Sequence, residues 1–154
     1  MYTDPSIVDT GFWINVGAIL ALLALSAFFS GSETALTTAS RGKLRMKANK
    51  GDRGAQMALD ITEDIERLIG SVLLGNNLVN ILAASLATAL FTRLYGDSGV
   101  ALATLVMTFL VLIFAEVLPK TYAITQPENA AAGVSGAIRL EITHLVFYLD
   151  RLVC

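Results

Sequence analysis

The chain has 154 residues, enough for one domain, and its mean hydropathy is +0.64. It is 55% hydrophobic and 16% charged, whereas soluble domains are about 45–50% apolar and about 25% charged. The net charge of −2 provides no basic surface for nucleic acid. The single cysteine, Cys154, and the single histidine, His144, exclude an internal disulfide and a structural zinc site of the usual ligands. The composition therefore predicts a membrane protein.

The first apolar segment follows an N-terminus, Met1–Asp9, that contains no Lys or Arg, so a cleaved secretory signal is not indicated. Gly11–Phe29 has no charged residue and is long enough to cross about 30 Å of hydrocarbon. We expect the first spanning helix at residues 11–30. Ser26 and Ser30 lie one turn apart on one face of it; alternatively, each hydroxyl bonds the carbonyl one turn earlier.

The sequence Ser30-Gly31-Ser32-Glu33 ends this span and has the spacing of a helix-capping box. One interpretation is a bend at Gly31 followed by a new surface helix at residues 34–48. A second, compatible with the first, is that the bend exposes helix-end carbonyls to an ion.

A cluster of six basic residues with one acid, Asp52, gives the main topology signal. It comprises Arg41, Lys43, Arg45, Lys47, Lys50 and Arg53. Short basic loops stay in the cytoplasm, so the N-terminus is expected outside. A basic patch that binds anionic lipid headgroups would lie on the same side.

The second span is expected at residues 68–92, after a mixed helix at 54–67 that stands in the cytoplasm. Its centre reads Gly75-Asn76-Asn77, and Asn80 follows one turn later on the same face as Asn76. Buried amides are costly in a membrane unless they are satisfied, and Gly75 favours a bend. We therefore predict a polar cavity here; hydrogen bonding between helices is the alternative.

The third span, at residues 99–118, follows a short outer loop at 92–98 and carries one carboxylate, Glu116. Ionising a carboxylate inside a bilayer costs several kcal/mol unless a partner is present. Pro119 is expected to end the helix at Leu118. Glu116 is therefore either part of an ion site or a rim residue that pairs with Lys120 at i+4.

The last segment is apolar, but five polar or charged residues interrupt it: Arg139, Glu141, His144, Asp150 and Arg151. Its longest uncharged stretch is too short to span. Ile138, Ile142, Leu145 and Leu149 recur at helical spacing, which predicts an amphipathic helix at residues 128–152 in the cytoplasmic interface.

The three spans together offer one carboxylate, hydroxyls, amides and carbonyls freed at Gly31, Gly75 and Pro119. These are hard oxygen ligands, which suit Mg²⁺, Ca²⁺ or Na⁺ rather than Zn²⁺ or Cu⁺. They meet only if the second span begins beneath the membrane, because otherwise Asn76 and Asn80 would lie about 12–18 Å above its start.

Three ordered motifs, Ser30–Leu36, Gly75–Asn80 and Glu116–Lys120, resemble the transmembrane domain of the CNNM/CorC magnesium transporters. The resemblance implies an all-α homodimer with three membrane helices per subunit, short cytoplasmic helices and a belt-like juxtamembrane helix. It also implies export of dehydrated Mg²⁺ with Na⁺ as a coupling ion. The implied metal ligands are Ser26, Ser30, Gly31, Asn76, Asn80 and Glu116, and the implied gating or structural residues are Gly75, Asn77, Pro119 and Lys120. Ala115 stands where the family often has glycine.

Members of this family continue into paired cytoplasmic CBS domains that bind ATP. We expect residues 1–154 to form the membrane domain alone, with lipid as a partner and ATP acting only through the further domains. The competing hypothesis is a membrane anchor or dimerisation module whose polar residues only pack helices. An enzyme is least favoured, because no nucleophile–base pair stands out.

Overall fold

The computed structural model describes residues 8–153, apart from the side chains of Leu149, Asp150 and Val153. The external placement expected for Met1 and any role of Cys154 lie outside the described residues. The described part is helical, without a strand, which confirms the all-α prediction. Its elements are α1 (Thr10–Thr38), α2 (Arg41–Asn49), α3 (Arg53–Ile61), α4 (Ile65–Tyr95), α5 (Ser98–Leu110), a π-helical segment (Val111–Val117), α6 (Leu118–Thr125) and α7 (Pro127–Val153).

Three of these helical stretches are long and apolar enough to cross a membrane, as the sequence predicted. They are α1, α4 and the continuous stretch Ser98–Thr125 formed by α5, the π-helical segment and α6. The helices α2, α3 and α7 gather at one end of this bundle, which we call the basic end because it contains the cations of Arg41–Arg53. The short turn at Gly96 and Asp97 lies at the opposite end.

The helices α1 and α4 pack along buried stripes that repeat every three or four residues. The stripe on α1 contains Ile19, Leu23, Ser26 and Ser30, and the stripe on α4 contains Leu68, Val72, Asn76, Val79, Ala83 and Ala87. The small Ala83 and Ala87 side chains let two membrane helices approach closely. The polar residues Ser26, Ser30 and Asn76 therefore belong to the packing interface and do not face lipid.

The expected bend at Gly31 is wrong, because α1 continues without interruption to Thr38. A Cβ atom at Gly31 would lie 3.3 Å from the Cβ of Pro119, so the glycine permits close contact between α1 and α6. The Ser30–Glu33 capping box is also wrong. The helix that follows begins only at Arg41, where the side chain of Ser40 accepts a hydrogen bond from the Lys43 amide.

The predicted helix at 54–67 is likewise divided. The helix α3 ends at Ile61, and α4 begins at Ile65 after Asp64, whose side chain accepts from the Arg67 amide at 3.1 Å. The second span thus starts before Leu68 and continues to Tyr95, so the expected loop at 92–98 shrinks to a turn in which Gly96 has φ +65°. This early start is what lets the asparagines of α4 reach the level of Ser26.

The third span does not break before Pro119. Leu118 keeps helical angles (φ −63°, ψ −49°), and its amide donates to the carbonyl of Ile113, five residues earlier. A proline has no amide hydrogen and its ring crowds the preceding turn, and the backbone accommodates it by widening into the π-helical segment. Glu116 lies inside that segment, and short π-helical segments are frequent at functional sites.

The helix α7 begins at Pro127, as predicted, and packs mainly on α3 and α1. Its buried face contains Ala131, Ser135 and Ile138, and the Ser135 hydroxyl donates to the Gly54 carbonyl at 2.9 Å. It does not qualify as a spanning helix, in agreement with the prediction. Its position in the membrane interface stays a prediction.

Candidate ion site

The polar residues of the first two spans meet at one point. The Ser26 hydroxyl lies 2.8 Å from Oδ1 of Asn76 and 2.7 Å from Oδ1 of Asn80. Ser26 is completely buried, and Asn76 is 6% exposed. Asn76 and Asn80 were singled out within the Gly75–Asn80 motif and Ser26 by its position one turn before Ser30, and the structure brings the three side chains together.

The contact around Ser26 brings three oxygen atoms together but contains only one hydrogen, that of the hydroxyl, to share between them. A serine hydroxyl carries one hydrogen and can donate to only one of the two amide oxygens that face it. The other amide oxygen then faces the lone pairs of the hydroxyl. The hydrogen bonding between helices that was the alternative interpretation is therefore present here, and a cation placed among these three oxygens would satisfy all of them.

We call Ser26, Asn76 and Asn80 the polar cluster. Glu116 contacts this cluster through Asn76. The amide nitrogen Nδ2 of Asn76 donates to Oε1 of Glu116 at 3.4 Å, while Nζ of Lys120 lies 3.1 Å from Oε2 of the same carboxylate. The geometry therefore agrees with both interpretations of Glu116, as a residue next to the polar cluster and as the ion-pair partner of Lys120. One oxygen faces the polar cluster, and the other pairs with Lys120 one turn later.

Ser30 lies one turn beyond Ser26 on α1. It is completely buried, and its hydroxyl oxygen has no hydrogen-bond partner within the described residues. The alternative in which Ser26 and Ser30 bond their own helix carbonyls is thus wrong, although Ser32 does so through the carbonyl of Phe28 at 2.6 Å. A buried hydroxyl without a partner is costly, which favours a bound group at this position.

The expected set of backbone ligands needs correction. Gly31 and Gly75 lie inside unbroken helices, so no carbonyl is freed by a break at either residue. Gly31 instead brings α6 close to α1. Only Pro119 removes an amide donor, and it thereby leaves a carbonyl of the preceding turn without its usual partner.

The polar cluster separates two apolar cores along the bundle. Leu23 and Ala83 belong to the core toward the opposite end, and Phe29 and Val72 belong to the core toward the basic end. The two cores bound the polar layer along the bundle axis, whereas Asn77 and Glu116 stay accessible from the side of the bundle.

A side groove of about 520 Å³ runs between α4 and the third span and reaches the polar cluster. Asn77, Asn80 and Glu116 form its polar lining at that level. Thr88, Thr104 and Thr108 also line it, but their hydroxyls bond carbonyls of their own helices. Asn77 thus faces the groove and not the Ser26 contact.

Glu141 of α7 is a half-buried acid that in the sequence is one of the charges interrupting the last segment. Its Oε2 atom is buried without a hydrogen-bond partner in the described residues. A Cβ atom at Gly75 would lie 2.5 Å from Oε1, so the glycine leaves room for this carboxyl group. Burial raises the pKa of Glu141 to about 7. In the sequence, the position of Glu141 between Ile138 and Ile142 of the apolar face could have indicated that its carboxyl group is partly buried.

The described residues contain no group of three or more His, Cys, Asp or Glu side chains that could hold a metal ion. The donors at the site are instead hydroxyl and amide oxygens with one carboxylate. This donor set suits a hard cation rather than a transition metal that prefers nitrogen or sulfur ligands.

Comparison with known proteins places these residues in one family. The sequence profile described as "Cyclin M transmembrane N-terminal domain", that of the CNNM family, matches residues 17–149. The chain belongs to the CNNM family. The match includes all three motifs, from Ser30 to Lys120, and also most of α7.

Individual CNNM-family relatives agree with this assignment. The chain is 55% identical over 107 residues to the UPF0053 inner membrane protein YfjD of Escherichia coli, covering 70% of this chain and 25% of the relative. It is 43% identical over 113 residues to a UPF0053 protein of Haemophilus influenzae, covering 73% and 27%. It is 30% identical over 151 residues to the polyamine export protein of Haemophilus influenzae, covering 88% and 35%. The chain thus spans about a quarter of the length of the first two relatives. YfjD is named an inner membrane protein, and the three long apolar helices show that this chain is a multi-pass membrane protein.

Proposed function

We propose that this chain is the membrane domain of a transporter that exports Mg²⁺ through the site formed by Ser26, Asn76, Asn80 and Glu116, with Na⁺ as the coupling ion. The observation that carries the proposal is the convergence of two amide oxygens on one buried hydroxyl. The unpartnered Ser30 hydroxyl supports it. The family resemblance supports the choice of Mg²⁺, the direction of transport and the coupling ion.

The spacing of the oxygens is compatible with Mg²⁺. Mg²⁺ binds about six oxygens at roughly 2.1 Å, and neighbouring ligands in such an octahedron are roughly 3 Å apart. The Ser26 hydroxyl lies 2.8 and 2.7 Å from its two amide oxygens, the ordinary length of an O–H···O hydrogen bond, so only small shifts of these side chains would bring the three oxygens to that spacing. The choice of Mg²⁺ over Ca²⁺ rests on the family resemblance.

Lys120 has a defined role in this proposal. Its ammonium group lies 3.1 Å from Oε2 of Glu116 and neutralises the only carboxylate of the site. An entering cation must compete with it for the same oxygen. Lys120 therefore acts as a tethered cation that occupies the carboxylate when the site is empty of Mg²⁺ and is displaced when Mg²⁺ binds.

Titration calorimetry on the detergent-purified chain tests the site through two substitutions with opposite expected effects. Glu116→Gln keeps the shape and one acceptor oxygen but removes the charge, so Mg²⁺ affinity should fall about tenfold or more. Lys120→Met removes the competing cation, so Mg²⁺ affinity should rise.

Unchanged affinity in Glu116→Gln would contradict the site and favour the membrane-anchor alternative. If both variants lose affinity equally, the Glu116–Lys120 pair acts only as a structural contact at the rim. Na⁺ coupling is tested separately, by Mg²⁺ flux from proteoliposomes with and without a Na⁺ gradient.

A second candidate substrate is an aliphatic polyamine. The side groove has mainly apolar walls and ends at Asn77, Asn80 and Glu116, a shape and chemistry that fit an alkyl chain carrying ammonium groups. One relative is named a polyamine export protein. The calorimetric experiment repeated with spermidine separates the candidates, because binding of spermidine and not Mg²⁺ would replace the metal proposal.

A further inference from the structure

A second concave site lies at the basic end, away from the candidate ion site. It is a pocket of about 370 Å³ between α2 and the junction of α6 with α7. We call it the lysine pocket, because three lysines line it. Its lining residues are Lys43, Met46, Lys47, Lys50, Thr125, Gln126, Glu128 and Asn129.

The three lysines face the pocket because of their spacing. Lys43 and Lys47 are four residues apart on one face of α2, and Lys50, three residues further on, follows the last residue of the helix on the same side. Arg45 lies on the same helix but does not line the pocket. Half of the six cations in Arg41–Arg53 are thus gathered into one concavity.

The positive charge of the lysine pocket exceeds what its own acid can neutralise. Glu128 lies 3.7 Å from Lys43 and also accepts a hydrogen bond from the Ser40 amide at 3.2 Å. Lys47 contacts the side-chain oxygen of Asn129, which is neutral. Within the described residues, Lys47 and Lys50 have no carboxylate within ion-pair distance. Three ammonium groups therefore face one carboxylate.

The backbone adds to this positive potential. The helix α7 starts at Pro127, and its 27 residues direct the positive end of the helix dipole toward the pocket. The pKa of Glu128 is lowered, first by the amide at its own position in the helix start and then by the Ser40 amide and the nearby lysines. The pocket is therefore suited to a group with more than one negatively charged oxygen.

The position of the pocket identifies the source of such a group. Its Glu128 accepts a hydrogen bond from the amide of Ser40, two residues after α1 ends, and its Thr125 is the last residue of the third span. The ends of spanning helices lie at the level of lipid headgroups. Met46 in the pocket is 61% exposed, and Tyr122 and Ile124 on the adjoining α6 are similarly exposed. A phosphate group at the lysines would thus have apolar side chains beside it for its glycerol and acyl chains.

We propose that the lysine pocket is a specific binding site for the headgroup of an anionic phospholipid, which bridges α2 to the start of α7. Basic pockets at the membrane surface bind such headgroups through their phosphate oxygens. A lipid held here contacts both the basic helix after the first span and the helix after the third. The proposal is independent of the transported ion, because no candidate ligand residue lines this pocket.

The test compares two double variants of equal charge by native mass spectrometry of the purified chain, with phosphatidylglycerol or phosphatidylcholine added in defined amounts. Lys43→Gln/Lys50→Gln removes two pocket lysines. Arg45→Gln/Arg53→Gln removes two exposed cations of the same segment outside the pocket. The wild type should retain phosphatidylglycerol in preference to phosphatidylcholine, and the pocket variant should lose that preference by about tenfold or more, while the arginine variant keeps it.

Several results would overturn the proposal. Equal losses in the two double variants would mean that the basic segment attracts lipid only by its total charge. Displacement of phosphatidylglycerol by millimolar inorganic phosphate would mean a soluble phosphate site. Lys43→Arg/Lys50→Arg should retain the lipid because it keeps the charge, and its failure to do so would contradict recognition by positive charge. Melting temperatures in phosphatidylcholine confirm that all variants are folded.

Discussion

Glu116 illustrates how one side chain can satisfy two interpretations that the sequence leaves open. Its carboxylate is bidentate, with one oxygen toward Asn76 and the other toward Lys120. An ionised acid in the membrane needs partners, and here it has a neutral donor on one side and a cation on the other. In the proposed function a metal ion displaces the Lys120 ammonium group, which a flexible lysine side chain allows without movement of a helix.

Substitution of Ser30 tests whether this residue is a metal ligand or only a packing residue. Ser30→Ala should weaken Mg²⁺ binding, by less than Glu116→Gln because a neutral ligand is lost. It should not lower thermal stability, because it removes a buried hydroxyl that has no partner. Ser32→Ala is the control, since Ser32 is equally buried but bonds the Phe28 carbonyl. A stability loss in Ser30→Ala without any change in Mg²⁺ affinity would contradict its role as a ligand.

Glu141 predicts a pH dependence of stability. Its folded-state pKa is raised from 4.5 to about 7, so the folded protein favours the protonated form. Its contribution to the unfolding free energy is therefore greatest below about pH 4.5, declines as the pH rises to about 7 and is constant above that. Glu141→Gln should remove this decline, and its stability gain over the wild type should be larger at pH 8 than at pH 5.

Thermal unfolding in detergent at several pH values measures the effect. Glu66→Gln, at an exposed glutamate of α4, controls for the loss of one negative charge. A gain in Glu141→Gln that does not change with pH would contradict titration of this carboxyl group as the cause.

Among the helices, the third span shows how a local constraint is absorbed. Pro119 cannot donate a backbone hydrogen bond, and the chain responds by widening over Val111–Val117 instead of breaking. The contact of Pro119 with Gly31 then fixes α6 against α1. The helix therefore stays continuous while Glu116, within the widened segment, is held beside the asparagines of α4.

Gly31→Ala tests this contact. The new Cβ would lie 3.3 Å from the Pro119 ring and 3.5 Å from the Pro119 carbonyl oxygen, so α6 must move away from α1. We expect a lower Mg²⁺ affinity, because the Glu116 carboxylate would shift relative to Ser26. Gly17→Ala on the same helix is the matched control, since a Cβ there meets nothing within 4 Å. Equal Mg²⁺ affinity in the two variants would contradict a role for the close contact.

For the whole molecule, the orientation in the membrane follows from charge. The six cations of Arg41–Arg53 all lie at the basic end, with α2, α3 and α7, while Asp97 lies at the opposite end. Short segments rich in Lys and Arg stay in the cytoplasm. We therefore propose that the basic end is cytoplasmic and that the N-terminus is external.

Cysteine labelling of intact cells checks this orientation. In a Cys154→Ser background, Arg45→Cys should react only after the membrane is made permeable, and Asp97→Cys should react from outside. Both positions are exposed in the structure, so a lack of access would reflect the membrane. Labelling of Arg45→Cys from outside would reverse the proposed topology. The homodimer implied by the family resemblance stays a prediction, which native mass spectrometry measures directly.

The sequence by itself determined the number of spans, the basic end, the start of α7 at Pro127 and the residues of the polar cluster. These features follow from local composition and spacing: long uncharged stretches need a membrane, and amides and an acid within them need partners. The polar side chains of Ser26, Asn76, Asn80 and Glu116 could be located for the same reason, whereas their role as metal ligands was implied only by the family resemblance.

Only the tertiary structure decided whether the helices break at these residues and which residues of other helices they contact. The sequence favoured breaks at Gly31, Gly75 and Pro119, because glycine and proline weaken isolated helices. In the folded chain the two glycines instead make room for Pro119 and for Glu141, and the proline is accommodated by a π-helical segment. Burial of Glu141 and the meeting of Ser26 with the asparagines depend on contacts between residues far apart in sequence. Local patterns cannot specify such contacts, because the free energy that stabilises them arises only when the helices pack.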